Sequence, residues 1–134
     1  MENTILYPMV AQGALTFSVL LLLMTRRMQA AYAGKIEPKY FRLLEGNGEP
    51  DNVTVVKRNF LNQFEVPVLF YAVCLMAAVF EKADSVMIYA AWGYVALRIT
   101  HALVHIIRNR VMLRFKLFMA SNIVLMFMWV WVVL

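Results

Sequence analysis

Four long apolar stretches dominate the chain, and shorter polar segments separate them. The stretches cover about residues 5–26, 59–80, 85–107 and 115–134. An α-helix needs about 20 residues to cross the hydrocarbon of a bilayer, and each stretch has close to that length. A helix also satisfies its own backbone hydrogen bonds there. The pattern therefore predicts an all-α integral membrane protein, a four-helix transmembrane bundle that forms one domain over residues 1–134.

Two local signals refine this pattern. The polar segment at about 27–57 contains the run EGNGEPDN, which is typical of a surface loop, and a short helix is expected around Pro38 to Leu44. Pro67 cannot donate a backbone N–H within the second apolar stretch. That helix should therefore bend near Gln63, one turn before the proline.

The composition excludes a soluble protein. Hydrophobic residues make up 63% of the chain, which leaves too little polar surface to cover a globule of 134 residues. In a soluble protein the net charge of +5 would suggest a nucleic-acid partner. Here the basic side chains gather just outside the apolar stretches, where they orient membrane spans, so no nucleic-acid partner is expected.

The basic residues also lie unevenly between the two sides of the predicted bundle. Eleven of them lie in or beside the first and third connecting segments, whereas the opposite side has Lys82 alone. The positive-inside rule places both basic segments in the cytoplasm, which makes residues about 27–57 a cytoplasmic loop. We therefore expect a multi-pass integral membrane protein, in a bacterium one of the inner membrane, with both termini on the non-cytoplasmic side.

Three polar side chains enter the start of the second apolar stretch. At 100° per residue, Asn62 lies about 40° from Arg58 on a helix, and Glu65 lies about 20° away on the other side. Charged side chains inside a membrane span cost a few kcal/mol or more each and usually face a partner or a water-filled cavity. This narrow face is therefore the first candidate for a functional site.

A second polar stripe lies in the third apolar stretch. Arg98, His101 and His105 recur at intervals of three and four, within about 60° of each other on a helix. Arg114 and Lys116 form a third group at the start of the fourth helix, where free backbone N–H groups favour an anion. These groups extend the candidate site to the third and fourth helices.

Simpler explanations exist for parts of this set. Arg98 and Glu65 are also suited to a buried ion pair that only fixes the helix register. His101 and His105 have the spacing of metal ligands, but no third ligand is in register, so no metal site is predicted.

Four arginines and two further polar residues suit a zwitterionic, peptide-like ligand with two carboxylates. Guanidinium groups bind carboxylates and other oxyanions, while an acid and an amide can hold an ammonium group. The arginines are Arg26, Arg58, Arg98 and Arg114, and the other two residues are Glu65 and Asn62.

The second apolar stretch carries the pattern Arg-x-x-x-Asn-x-x-Glu as Arg58, Asn62 and Glu65. The pattern lies at the start of the second of four spans. Four further matching residues are distributed in order over nearly the whole chain, one before the motif and three after it: Arg26, Arg98, His101 and Arg114. With these motifs the chain resembles the MAPEG superfamily, the membrane-associated proteins in eicosanoid and glutathione metabolism, as a bacterial-type member similar to microsomal glutathione transferase and prostaglandin E synthase.

The resemblance implies a homotrimer of four-helix protomers among membrane lipids, with glutathione as cosubstrate in a pocket between subunits. The implied activity is that of a glutathione-dependent transferase or peroxidase acting on hydrophobic electrophiles, which are lipophilic small molecules. Arg114 is then the catalytic residue, beside the sulfur. The residues that the resemblance implies for glutathione binding are Arg26, Arg58, Asn62, Glu65, Arg98, His101 and His105.

The chain departs from the prostaglandin E synthase branch at several positions. Ala102, His105 and Phe115 stand where that branch has Thr, Tyr and Ser, and Phe60 and Leu61 replace basic or imidazole side chains of its motif. His105 is able to donate a hydrogen bond in place of the Tyr. These differences argue against prostaglandin synthesis in particular.

Two further functions from other classes stay open. One is a non-catalytic MAPEG-like protein whose pocket binds a lipid or another small anion. The other, less favoured, is a small four-span exporter. Such exporters have a membrane-embedded acid in the first span, whereas the first span here has only Gln12 as a strongly polar side chain.

Overall fold

The structure is a computed structural model that describes residues 2–134, with side chains described from Thr4 onward. No strand is present among these residues, and four helices are long and apolar enough to cross a membrane. The predicted all-α, four-span fold is thereby confirmed. After a short 3₁₀ turn at Glu2–Ile5, the helices are α1 (Leu6–Tyr32), α2 (Pro38–Leu43), α3 (Asp51–Asn62), α4 (Pro67–Val79), α5 (Ser85–Leu103) and α6 (Val111–Val133).

The helices extend beyond the apolar stretches at the basic end of the bundle. α1 continues past Arg26 and Arg27 to Tyr32, and α3 begins at Asp51, eight residues before the predicted start of the second span. Charged residues end the part of a helix that is suited to lipid, but arginine is itself a good helix former. The predicted loop at about 27–57 is therefore helical at both ends, with the expected short helix, α2, between them.

The expected interruption of the second span is present before Pro67. α3 ends at Asn62 and α4 begins at Pro67, and the intervening residues form i→i+3 backbone hydrogen bonds such as Phe64 N–H to Leu61 O at 3.1 Å. Together α3 and α4 form one 29-residue span from Asp51 to Val79. The break lies beside Asn62 and Glu65, so it shapes the candidate site.

Two apolar clusters form the core, one toward each end of the bundle. The cluster at the basic end is formed by α1 and α3 with Ile36, and the other joins α4, α5 and α6, with Phe70 stacked on Tyr94 at a ring-centroid distance of 4.4 Å. Each of the four spans has buried polar side chains between the clusters: Gln12, Asn59, Gln63, Arg98, His101, His105 and Ser121. The candidate site borders this polar layer.

The outward faces of the helices are apolar. Val10, Phe17 and Met126 are each exposed by two-thirds or more in the protomer. Apolar side chains exposed along a whole bundle suit contact with lipid tails or with neighbouring subunits rather than with water. The surface therefore agrees with a membrane location.

Asp84 caps α5 at the end of the bundle away from the basic residues. Its carboxylate accepts a hydrogen bond from the Met87 backbone N–H at 2.8 Å and from the Trp131 indole N–H at 3.1 Å. These bonds, chiefly the one from Met87, hold the pKa of the Asp84 carboxyl below its ordinary value of 3.8. A lowered pKa means that the folded chain favours the carboxylate, so the cap stabilises the fold above the unfolded pKa and loses this effect as the pH falls through the folded pKa.

We expect Asp84→Ala to lower the Tm of the detergent-solubilised protein at neutral pH, because the first turn of α5 loses its cap. The difference from the native chain should shrink below about pH 4, where the carboxyl becomes protonated. Asp84→Asn is the matched control, since it keeps an oxygen acceptor but removes the charge. A Tm difference for Asp84→Ala that does not change between neutral and acidic pH would contradict this interpretation.

Candidate functional site

A cavity of about 350 Å³ lies at the basic end between α3, the end of α5 and the start of α6. Its volume is in the range of small-molecule binding sites in proteins. The wall combines basic, amide and imidazole groups with an apolar rim. The lining residues are Arg58, Asn62, His101, His105, Val111, Arg114, Phe115 and Phe118.

Asn62, on the last turn of α3, connects two charged neighbours. Its Oδ1 accepts a hydrogen bond from Arg98 Nη2, and its Nδ2 donates to Glu65 Oε2 at 3.2 Å. The only ion pair found among the described residues joins Arg27 to Glu49, so Glu65 and Arg98 do not pair directly. The direct buried ion pair considered from the sequence is replaced by an amide that links the two charges.

Arg98 lies fully buried behind this wall of the cavity. Its Nε and Nη1 have no hydrogen-bond partner among residues 2–134. Taking a guanidinium out of water without a full set of acceptors is costly. The buried charge therefore makes the adjacent cavity favourable for an anion.

The two histidines enter the cavity from a helix that changes its winding. α5 ends at Leu103 and continues as a π-helical turn at Val104–Arg108, which contains His105. The imidazoles of His101 and His105 meet edge to face at 5.9 Å, and His101 also lies 6.0 Å from the Phe118 ring. π-turns are frequent at functional sites, and this one was not predicted because no residue pattern marks it.

Arg114 reaches the cavity from the first turn of α6. The helix begins at Val111, four residues before the predicted start of the fourth span, after Asn109 has turned the chain with a left-handed φ of 46°. Asn109 Oδ1 accepts a hydrogen bond from Arg114 Nη1 at 2.8 Å. The guanidinium is thus oriented from one side, next to backbone N–H groups that also favour an anion.

The structure brings most, but not all, of the predicted site residues together. Five of them line the cavity: Arg58, Asn62, His101, His105 and Arg114. Arg98 and Glu65 adjoin it through Asn62, although the Glu65 side chain is exposed on the outside of the bundle. Arg26 is apart from the cavity within this protomer, since its Nη1 donates to the Asn52 backbone carbonyl at 2.9 Å.

Three buried amides behind the histidines were not predicted as part of the site. Gln12, Gln63 and Asn59 form a continuous hydrogen-bonded chain that ends on His105. The sequence holds a signal for it, because Asn59 and Gln63 stand four residues apart on one helix face and Gln12 is isolated in an apolar span. That signal does not show which helices meet, so the chain is visible only in the structure.

The arrangement is suited to holding a small anion next to an apolar compound. Arg58 and Arg114 supply positive charge from two walls, and the imidazoles supply donors or acceptors between them. Phe115 and Val111 are exposed on the rim, on the apolar outer surface of the bundle. The cavity therefore opens beside an apolar part of the bundle surface.

Comparison with known proteins assigns the chain at the level of a family. No curated protein and no solved structure matches it at a significant level. The model of the MAPEG family matches residues 5–134, which is nearly the whole chain. The motif residues of the second span and the four long apolar helices are in agreement with that match. The chain is therefore a member of the MAPEG family, a group of integral membrane proteins in eicosanoid and glutathione metabolism.

Proposed function

We propose that this protein is a membrane-bound, glutathione-dependent transferase or peroxidase that acts on hydrophobic electrophiles. The observation that carries the proposal is the cavity itself, in which two arginines, an amide and two imidazoles lie next to an apolar rim. Glutathione is associated with the family, and its chemistry fits these side chains. It is a peptide-like molecule with two carboxylates, one ammonium group and a thiol.

The polar wall formed by α3 suits the peptide part of glutathione. Arg58 is exposed toward the cavity mouth and is free to hold a carboxylate. The carboxylate of Glu65 lies 3.2 Å from the Asn62 amide and suits the ammonium group. The charge of the buried Arg98 favours the second carboxylate.

The α6 side of the cavity suits the sulfur. Glutathione, when bound, supplies a thiol whose thiolate is the reactive nucleophile, and a free thiol has a pKa of about 8.5. Arg114 lies where it stabilises the thiolate, and Asn109 holds its guanidinium in place. Phe115 and Val111 would hold the electrophile against the sulfur and exclude water.

A homotrimer is part of the proposal, because one protomer leaves charged groups of the site uncovered. Glu65 is exposed on a membrane span beside the exposed Leu61 and Phe64. A carboxylate facing lipid is costly, whereas a neighbouring subunit would cover it and bring a further basic side chain, with Arg26 as the candidate. We also propose that the basic end faces the cytoplasm of a bacterial cell, which gives the site access to glutathione.

Isothermal titration of the detergent-purified protein with glutathione tests the binding step. We expect saturable binding to the native chain and a Kd at least about tenfold weaker for Arg58→Ala, since a hydrogen bond to a charged group contributes about 1.5–3 kcal/mol and about 1.4 kcal/mol is a factor of ten. Arg42→Ala, which removes a basic residue of α2, should leave the Kd unchanged.

Three negative results together would refute the proposal. They are no binding of glutathione, no conjugation of glutathione to a generic aryl halide, and no glutathione-dependent reduction of a lipid hydroperoxide. The apolar rim of Val111, Phe115 and Phe118 favours one alternative, a non-catalytic protein that binds an anionic lipid. Thermal stabilisation by anionic lipid vesicles but not by glutathione would support that alternative.

A further inference from the structure

His105 stands at the end of a buried chain of three side-chain amides. Gln12 Nε2 donates to Gln63 Oε1 at 3.1 Å, Gln63 Nε2 donates to Asn59 Oδ1 at 3.1 Å, and Asn59 Nδ2 lies 3.2 Å from His105 Nδ1. Gln12 is on α1, Gln63 lies in the break after α3, Asn59 is on α3 and His105 is in the π-turn. The chain therefore connects the first span to the wall of the cavity.

The direction of these hydrogen bonds fixes the role of each group. An amide has one oxygen acceptor and one NH₂ donor. The Asn59 oxygen is occupied by the Gln63 donor, so only the Asn59 NH₂ remains to face the imidazole. His105 Nδ1 must then accept, and the proton of the neutral imidazole lies on Nε2.

Burial couples the three amides, so that they keep one common direction. Gln12, Asn59 and Gln63 are at most 2% exposed, and His105 is 6% exposed. Water has little access to replace a lost partner, and reversing one amide would place two donors or two acceptors against each other. A buried polar group without a partner costs about 1–3 kcal/mol. His101 lacks such a constraint, because its Nδ1 has no hydrogen-bond partner among the described residues.

We propose that Asn59 and Gln63 are positioning residues that hold neutral His105 in its Nε2–H form, so that this imidazole offers a hydrogen-bond donor to the cavity. Nδ1 is turned to Asn59, and within the described residues no hydrogen bond uses Nε2. On the proposed function, on which this part rests, the donor acts on bound glutathione in the cavity. The tautomer itself does not depend on that function.

NMR of histidine labelled with ¹⁵N and ¹³C in the ligand-free native protein tests the tautomer. The chain has only two histidines, and His105→Gln assigns their signals. At a pH where both imidazoles are neutral, we expect His105 to carry its proton on Nε2. Asn59→Asp replaces the donating NH₂ by an accepting oxygen, so a proton should appear on Nδ1 of His105.

Two further variants keep this test decisive. Gln63→Leu frees the Asn59 amide to turn over and should give a mixture of tautomers even if Asn59→Asp does not fold. Asn122→Asp makes the same chemical change on α6 and should leave His105 in its Nε2–H form. A proton on Nδ1 in the native chain, or an unchanged Nε2–H signal in both Asn59→Asp and Gln63→Leu, overturns the proposal.

The same labelled protein separates this proposal from the proposed function. Added glutathione should shift the Nε2 resonance of His105 in the native chain. A resonance that does not move under conditions where titration shows binding would refute the donor role. If titration shows no binding, the proposed function fails, while the expected tautomers in the native and variant chains still support the positioning by Asn59 and Gln63.

Discussion

Replacing Arg114 by alanine is expected to lower kcat/KM for glutathione conjugation by about 10²–10³-fold, the usual cost of losing one group that stabilises developing negative charge in an active site. Arg114 lines the cavity from the first turn of α6, where the helix dipole also favours an anion. Without the guanidinium, less of the bound thiol is ionised at neutral pH, because the thiolate loses its positive neighbour. The rate of the variant should therefore recover in part as the pH is raised.

This prediction has two matched controls on the same helix. Arg114→Lys keeps the charge but not the planar, oriented guanidinium, so an intermediate rate is expected. Lys116→Ala removes an exposed basic residue two positions further along and should leave kcat/KM within about twofold, since a surface charge away from the site has little effect. Equal losses for Arg114→Ala and Lys116→Ala would indicate a general effect of net charge rather than a catalytic role for Arg114.

The groupings of side chains in the candidate site that could be predicted from the sequence follow from the geometry of single helices. The 100° step between residues places Arg58 and Asn62 on one face, and it does the same for His101 and His105. In the structure these four side chains line one cavity. Pro67 is a second example, because a missing backbone N–H interrupts a helix whatever surrounds it.

Two sets of contacts that were not predicted depend on how one helix lies against another. Periodicity alone does not give the relative heights of α3 and α5, so Asn62 was not expected to stand between Arg98 and Glu65. The amide chain from Gln12 to His105 likewise requires α1, α3 and the π-turn to meet at one level. Two consequences of these contacts, a link between charges and a fixed tautomer, could not be read from residue spacing.

The contact between Asn62 and Arg98 leads to the second large expected effect. Asn62→Leu should lower the free energy of unfolding by about 1.5–3 kcal/mol, the contribution of a hydrogen bond to a charged group. Asn62 Oδ1 is the only acceptor found for the guanidinium of Arg98 among the described side chains, and Arg98 has no access to water. Leucine is close to asparagine in size, so the loss would come from the missing acceptor rather than from a cavity. Reversible unfolding of the native and variant proteins in mixed micelles measures this difference in the free energy of unfolding.

A matched pair of substitutions separates the structural role of Asn62 from its role in binding. Asn52→Leu makes the same change at an exposed position on α3 and should leave the stability unchanged. Asn62→Asp retains an acceptor for Arg98, so its free energy of unfolding should be close to that of the native chain. Its added negative charge, however, lies beside Glu65 and the cavity. Like charges repel, so this variant should bind glutathione more weakly than the native chain despite its intact fold. A variant that is both stable and unimpaired in binding would show that Asn62 serves only to hold Arg98, and that the anion lies elsewhere in the cavity.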